Sequence, residues 1–247
     1  MIKILSSIGK YLVLLKSVFS PPEKVSIYYR QTLREMENHG LGSLGIIAII
    51  SLFVGAAITI QTNFNIENPW LPRYIIGVTV RDSLLLEFSS TMVGLVIAGK
   101  SGSSIASEIG MMRVTEQIDA LEVMGISSPT YLILPKLIAL IVFMPILCAL
   151  SAAVGIIGGY AVCAIGDIVP VSDYVYGIQY AFYPYYLAYA MVKAAFYGFI
   201  ISTVAGYFGF YVEGGAVQVG RSSTRAVVMS SILILMANLL LTNLILH

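Results

Sequence analysis

The sequence predicts an all-α integral membrane protein, and three observations support that prediction. Hydrophobic residues make up 58% of the 247-residue chain, and its mean hydropathy is +0.88. Charged residues make up 11%, whereas an ordinary soluble domain has about 25%. Five apolar stretches are each long enough to cross a hydrocarbon core of roughly 30 Å as a helix. The net charge of +1 gives no reason to expect a nucleic-acid partner.

The N-terminal segment, residues 1–40, predicts an amphipathic helix that lies in the membrane interface, followed by a polar stretch. Ile8 and Phe19 belong to an apolar helical face, and Lys3 and Lys10 belong to the opposite face. Because lysines interrupt the apolar part, a secretory signal peptide is a poor fit to this segment.

The remaining residues, 41–247, predict one membrane domain of five spans. The third apolar run is about 36 residues long, which exceeds the roughly 20 residues that one straight crossing needs. We expect one long helix kinked at Pro135 and Pro145, with a re-entrant pair as the alternative. Residues 75–80 either dip into the membrane or belong to the second span. The predicted spans are residues 44–60, 83–105, 130–165, 184–210 and 226–246.

The distribution of basic residues predicts the orientation. The first forty residues hold six lysines and arginines, whereas the loop at 166–183 and the C-terminus hold none. Since cytoplasmic segments are enriched in these residues, the N-terminus is predicted to be cytoplasmic and the C-terminus, five spans later, periplasmic. The six residues are Lys3, Lys10, Lys16, Lys24, Arg30 and Arg34.

Residues 99–129 are polar but lie between two apolar runs. Read as one helix, Val114, Ile118 and Leu121 form a single apolar stripe, and Gly125 marks the C-terminal stop. This pattern predicts a cytoplasmic surface helix between the second and third spans. Such a helix either serves only to connect two buried helices or is bound by a partner protein.

Residues 94–101, GLVIAGKS, match the nucleotide-binding pattern G-x-x-x-x-G-K-[ST]. A phosphate-binding loop needs glycine-rich backbone between a strand and a helix. Here the variable positions are all apolar and continue a spanning run. We therefore expect no nucleotide site at Lys100, and we interpret the glycines as sites of close helix packing.

Two ionisable residues lie inside predicted spans, where a charge costs at least about 2.5 kcal/mol on insertion scales. Glu87 is predicted about one turn from the outer end of the second span, and Lys193 roughly nine residues into the fourth. They form either a structural ion pair, or groups that snorkel to the interface, or the lining of a cavity open to the outside. Asn238 and Asn243 are predicted to make hydrogen bonds between helices.

The cysteines and histidines do not favour a metal site or a disulfide. Cys148 and Cys163 lie on one predicted helix, roughly 22 Å apart, too far to pair. His39 and His247 are the only histidines. Both cysteines are predicted to be packing residues.

Residues 93–136 carry a series of short motifs, at 98–103, 106–110, 112–117 and 124–129, and a further one, GRSSTRAVVMSS, occupies 220–231. This series closely resembles the MlaE (YrbE-like) permease family, and with the order of spans the resemblance covers most of the chain.

The resemblance implies the membrane subunit of an ABC-type phospholipid transport system, without a catalytic site or cofactor of its own. Two copies of the chain would pair, and each would dock a separate cytoplasmic ATPase subunit that binds ATP and magnesium. A periplasmic MCE-domain protein would bind the other side. The complex would move phospholipid between the inner and outer membranes, which implies location in the inner membrane of a Gram-negative bacterium.

The resemblance also implies functional residues. The helix between spans two and three would act as the coupling helix, and its candidates for contacting the ATPase or anchoring the helix are Glu108, Arg113, Glu116, Asp119 and Glu122.

One segment departs from the family pattern. The family often carries R-E-L-G-P early in span two, whereas this chain has LEFSS at 86–90. Glu87 is kept but its neighbouring arginine is not, so the partner of Glu87 is left open. Lys193 matches a lysine of the family's fourth span, and both residues are candidates for the substrate cavity. Two alternatives use the same pair, a proton-coupled carrier and an intramembrane enzyme that modifies lipid.

Overall fold

The computed structural model describes residues 2–20, 25–66, 71–166 and 168–246, and these ranges contain helices and their connections without a strand. The all-α prediction is confirmed. Lys24 and His247 lie outside the described residues. The α-helices are α1 (Ile2–Val18), α2 (Val25–Glu35), α3 (Leu44–Asn65), α4 (Tyr74–Ser83), α5 (Ser89–Ile97), α6 (Ser103–Val114), α7 (Gln117–Val123), α8 (Ser128–Gly166), α9 (Val171–Gln179), α10 (Pro184–Phe210) and α11 (Ala216–Leu246).

Five helical stretches are long and apolar enough to cross a membrane, as predicted. In the bundle, α8 and α10 lie at the centre, α3 packs on α8, and α11 packs on α10 and α6. The short helices α7 and α9 lie at opposite ends, which we call the α7 side and the α9 side. The five stretches are Ile27–Asn65, Tyr74–Val114, Ser128–Gly166, Pro184–Phe210 and Ala216–Ile245.

The second span is longer than the predicted 83–105, because it runs without a break from Tyr74 to Val114. Two π-helical segments, Leu84–Phe88 and Ala98–Gly102, interrupt its α-helical geometry. Residues 75–80 therefore belong to this span.

The charged pair at the start of the second span explains the misplaced boundary. Arg81 is buried, and its guanidinium donates hydrogen bonds to the carbonyls of Ile178 at 2.9 Å and Tyr180 at 2.6 Å. It also lies 2.9 Å from a carboxylate oxygen of Asp82. A charged side chain with these partners can stay inside a spanning helix. In the sequence, however, two adjacent charged residues are typical of a loop, so the span was predicted to begin after them.

The third span is one helix of 39 residues, and both Pro135 and Pro145 lie inside it. The expected long helix is confirmed in place of a re-entrant pair. At 1.5 Å per residue it extends about 58 Å, well beyond the hydrocarbon core. Cys148 and Cys163 are buried on this helix and unpaired.

Glycines bring the central helices together. A Cβ atom at Gly198 of α10 would lie 2.7 Å from the carbonyl oxygen of Leu140 on α8. Gly55 of α3 directly faces the backbone of Gly155 on α8. Small residues at such crossings let backbones approach closely, which is how helices gain packing energy in a membrane.

The N-terminal helix α1 is anchored to the α7 side of the bundle. Leu14 and Val18 are buried, and the hydroxyl of Tyr11 donates a 2.8 Å hydrogen bond to Thr203 of α10. Ile8 and Leu12 are exposed on the same helix. Its position in a membrane interface stays a prediction, which these exposed apolar side chains favour.

On the α9 side, the connection between the third and fourth spans is held by Tyr174 of α9. Its hydroxyl donates a 3.1 Å hydrogen bond to the carbonyl of Ile156 on α8. Burial raises the pKa of Tyr174 to about 12, so the hydroxyl stays protonated and available as a donor.

Candidate functional site

The two ionisable residues predicted inside the spans meet each other. The Nζ atom of Lys193 lies 3.1 Å from Oε2 of Glu87. It also donates hydrogen bonds to the carbonyl of Leu86 and to Oγ1 of Thr242, each at 3.2 Å. The Lys193 side chain is fully buried, and these contacts use all three of its N–H donors.

Two neutral groups complete this arrangement, which we call the midspan network (Glu87, Lys193, Tyr197, Asn238 and Thr242). The side-chain amide of Asn238 donates to Oε1 of Glu87, and the hydroxyl of Tyr197 donates a 2.8 Å hydrogen bond to Oδ1 of Asn238. The network therefore joins the second, fourth and fifth spans. The predicted interhelical bond is confirmed for Asn238, whereas Asn243 is exposed on α11.

Glu87 is partly accessible, as are Asn238 and Thr242 of the midspan network. The side chain of Glu87 is 41% exposed, in contrast to the buried amine of Lys193. Glu87 lies thirteen positions after Tyr74, or about 20 Å along the helix, so its predicted place one turn from the span end was too shallow. It also lies in the π-helical segment Leu84–Phe88, a geometry that is frequent at functional sites.

A second buried lysine lies on the α7 side. Nζ of Lys136 is 2.7 Å from Oε1 of Glu35 and 2.7 Å from Oε2 of Glu108. Nε2 of His39 lies 3.2 Å from the other carboxylate oxygen of Glu35. We call these four residues the basal network, and they join α2, α6, α8 and the π-helical segment Met36–Gly40.

The basal network opens into a polar cavity. The cavity has a volume of about 570 Å³ and is lined by all four residues of the network together with Arg34 and Lys100. Lys136 is buried, whereas the side chain of Glu108 is 50% exposed. Water or a polar ligand in this cavity can therefore reach the carboxylate of Glu108 but not the amine of Lys136.

Sequence reasoning missed three members of the basal network, Glu35, His39 and Lys136. One signal was present, because Lys136 is the only charged residue in the 39-residue helix α8. A lone charge in a spanning helix predicts a partner on another helix. The identity of that partner could not be read from the sequence.

The predicted coupling helix is shorter than expected, and the single apolar stripe was wrong. The second span continues to Val114, and α7 is a separate helix of seven residues, Gln117–Val123. Glu116 lies between them in the left-handed region with φ of 59°, which breaks the helix. Gly125 has φ of 82°, in agreement with its predicted role as the stop after the helix.

The predicted coupling residues do not form one cluster. Arg113 reaches Asp119 across the break, with Nη1 2.6 Å from Oδ1. Glu122 accepts a 2.7 Å hydrogen bond from the hydroxyl of Ser128, which fastens α7 to the start of α8. Glu116 is exposed, and Glu108 belongs to the basal network.

The tip of α7 carries exposed apolar side chains. Val123 is 89% exposed, and Met124 is also exposed, while Ile118 on the opposite face is fully buried. The buried face anchors α7 to the bundle, and the tip projects away from it.

A comparison with known proteins shows the family of this chain. The family model described as Permease MlaE matches residues 32–244. The chain belongs to the MlaE permease family. It is a multi-pass membrane permease subunit, and the motif-bearing residues 93–136 and 220–231 lie within the matched range.

Individual relatives agree with the MlaE assignment. A probable ABC transporter permease protein of Rickettsia bellii is 38% identical over 98% of this chain and 93% of its own length. The chloroplastic protein TRIGALACTOSYLDIACYLGLYCEROL 1 of Arabidopsis thaliana is 36% identical over 89% of this chain and 63% of its own length. The intermembrane phospholipid transport system permease protein MlaE of Haemophilus influenzae is 28% identical over 85% of this chain and 80% of its own length.

The apparent nucleotide motif of this MlaE-family chain is helical. Residues 94–101 lie in α5 and in the π-helical segment Ala98–Gly102. Lys100 donates hydrogen bonds to the carbonyl of Gly42 and, at 3.0 Å, to the hydroxyl of Ser43. Backbone N–H groups inside a helix already have carbonyl partners, so this segment does not form a phosphate cradle.

Proposed function

We propose that this MlaE-family chain is the membrane subunit of an ABC-type transporter that moves phospholipid between the inner and outer membranes of a Gram-negative bacterium. The observation that carries the proposal is the exposed helix α7 between the second and third spans. The name of the Haemophilus influenzae relative, which covers 85% of this chain, supports phospholipid as the substrate.

In this proposal α7 is the coupling helix, and ATP and magnesium bind to a separate ATPase subunit. An apolar tip outside hydrocarbon is unfavourable unless a partner covers it, and Val123 and Met124 form such a tip. Glu116, Asp119 and Glu122 surround it with acidic groups that suit a basic rim on the partner. Arg113 holds the base of α7 through its ion pair with Asp119, and Glu108 fixes the preceding helix α6 to α8 through its ion pair with Lys136.

The same proposal gives each side of the bundle a partner. The α7 side is cytoplasmic, because the basic N-terminal segment lies there, and the α9 side is periplasmic and receives an MCE-domain protein. The fifth span leaves a wide apolar face uncovered, including Ile232, Leu235 and Leu239. A second copy of the chain pairs along this face.

The midspan network is the proposed contact with substrate. Glu87 is half-exposed among apolar side chains, and it can accept hydrogen bonds from a lipid headgroup. Lys193 is buried behind it and fixes the carboxylate. We therefore assign direct contact to Glu87 and a positioning role to Lys193.

The proposal is tested by co-expressing the chain with a candidate ABC-type ATPase subunit and by measuring ATP-dependent phospholipid transfer between vesicles. We expect the V123D/M124D variant to insert into the membrane but to lose both the bound ATPase and lipid transfer. Charge reversal in E116K/D119K should reduce both. The reversal D173K on α9, at the opposite end, should keep both.

Three results would overturn the proposal. A V123D/M124D variant that still binds the ATPase and transports lipid would remove α7 from the coupling role. Lipid movement driven by a pH gradient without any ATPase would indicate a proton-coupled carrier instead. Chemical modification of lipid by the purified chain alone would indicate an intramembrane enzyme.

A further inference from the structure

A second polar pocket lies on the α7 side, between α1, the end of α10 and the start of α11. Its volume is about 340 Å³. Three basic residues line it, Lys10, Arg221 and Arg225, together with the carboxylate of Glu213 and the hydroxyl of Ser222. The cations exceed the single carboxylate by two charges, so the pocket is positively charged.

The basic residues of this pocket differ from those that join helices elsewhere. Lys136, Lys193 and Arg81 each have a carboxylate partner. Within the part of the chain that the structure describes, Arg221 and Arg225 have none within the 4.0 Å of an ion pair. They lie one turn apart on α11, where like charges repel each other. An anion between them would remove that repulsion.

The surroundings of the pocket point to the source of the anion. Lys10 lies on α1, whose Ile8 and Leu12 are 52% and 57% exposed. Apolar side chains at this exposure favour contact with hydrocarbon, and α10 ends and α11 begins at the same level. The pocket therefore lies where lipid headgroups meet the ends of the spans.

We propose that this pocket binds the headgroup phosphate of an anionic phospholipid in the adjacent leaflet. Arg221 and Arg225 would contact the phosphate oxygens, and Lys10 would approach from α1. Basic pockets between spanning helices are suited to such headgroups. The site is separate from Glu87, which lies deep in the second span, and it does not depend on the chain transporting lipid.

The test compares R221Q/R225Q with R30Q/R34Q in nanodiscs that contain phosphatidylcholine with a minor fraction of phosphatidylglycerol. The control pair removes two arginines at the same spacing from α2, outside the pocket. Native mass spectrometry measures the phosphatidylglycerol that stays bound. At about 1 kcal/mol for each basic residue near a membrane surface, R221Q/R225Q should weaken retention about thirtyfold. R221K/R225K, which keeps the charges, should retain most of the lipid.

Each outcome decides the proposal. Selective loss in R221Q/R225Q, with an unchanged melting temperature, supports it. An equal loss of bound phosphatidylglycerol in R30Q/R34Q would show that general surface charge causes the effect, and it would overturn the proposal. Retention of lipid by R221Q/R225Q would also overturn it. If inorganic phosphate binds in pure phosphatidylcholine nanodiscs and displaces no phosphatidylglycerol, the pocket serves a soluble anion and the lipid assignment is wrong.

Discussion

The midspan and basal networks both place a buried lysine against glutamate, but they differ in charge and in access. Lys193 meets one carboxylate and two neutral oxygens, so the midspan network is electrically balanced. Lys136 meets two carboxylates, and His39 lies next to one of them. The basal network therefore sets two carboxylates against one ammonium group.

Access differs as well. The basal network opens into a cavity of about 570 Å³ where water can solvate its carboxylates. The midspan network exposes part of Glu87, Asn238 and Thr242, in the interior of three helices that are long and apolar enough to span a membrane. The same pair of residue types therefore fixes helices together beside a polar cavity in one network and presents a charge between spanning helices in the other.

The largest effect is expected from K193M. Removing the amine leaves the Glu87 carboxylate in the membrane without its countercharge, which should destabilise the fold by about 3 kcal/mol. Unfolding in detergent, followed by circular dichroism, measures the change. The double variant E87Q/K193M should recover much of the loss, because no charge remains. A double variant as unstable as the sum of both single changes would show that the pair is not coupled.

K136M should have a smaller effect, about 2 kcal/mol, since water in the cavity can solvate the carboxylates left behind. It should also loosen α6 from α8. We therefore expect a clear fall in the ATP hydrolysis of the partner ATPase subunit in the complex, beyond what the change in stability alone would cause. K100M is the control, because Lys100 contacts only neutral oxygens. If K100M lowers the free energy of unfolding as much as K136M does, the ion pairs with Glu35 and Glu108 do not explain the contribution of Lys136 to stability.

N238L should cost about 1 kcal/mol, typical of an interhelical hydrogen bond in a membrane. It removes the donor to Glu87 and the acceptor for Tyr197. N243L changes the same residue type on the same helix, at an exposed position, and should leave stability unchanged. Similar losses in both variants would mean that leucine on α11, and not the network, causes the effect.

R113Q should change stability least, by about 0.5 kcal/mol, because the Arg113–Asp119 pair is exposed to water. We expect the melting temperature to stay near that of the unchanged chain while ATPase coupling falls. A loss of stability as large as that of K136M would place this exposed pair with the buried networks.

Sequence reasoning predicted the five spans because hydropathy reports directly on burial in hydrocarbon. It selected Glu87 and Lys193 for the same reason, since a charge there needs a partner. It misplaced the start of the second span because the partners of Arg81 are carbonyls about a hundred residues later. Local sequence patterns do not predict contacts between residues so far apart in the chain.

The basal network was missed for a related reason. Glu35 and Lys136 are separated by 101 positions. Lys136 stands out as a lone charge in α8, but Glu35 is one of several charged residues in its segment, so nothing in the sequence pairs the two. The break at Glu116 was also hidden, because a glutamate rarely adopts a left-handed conformation and the flanking residues continue a helical pattern. Both the basal network and the break at Glu116 depend on tertiary contacts.

The second span is continuous from Glu87 to Val114, and α7 follows it after the break at Glu116. About 40 Å of helix separates Val114 from Glu87, and the contact between Glu108 and Lys136 lies between them. The two π-helical segments are the joints at which this span can bend. If α7 has the proposed coupling role, a displacement of α7 would reach the Glu87 carboxylate as a tilt of this span. The strength of the contact between Glu108 and Lys136 would then set the size of that tilt.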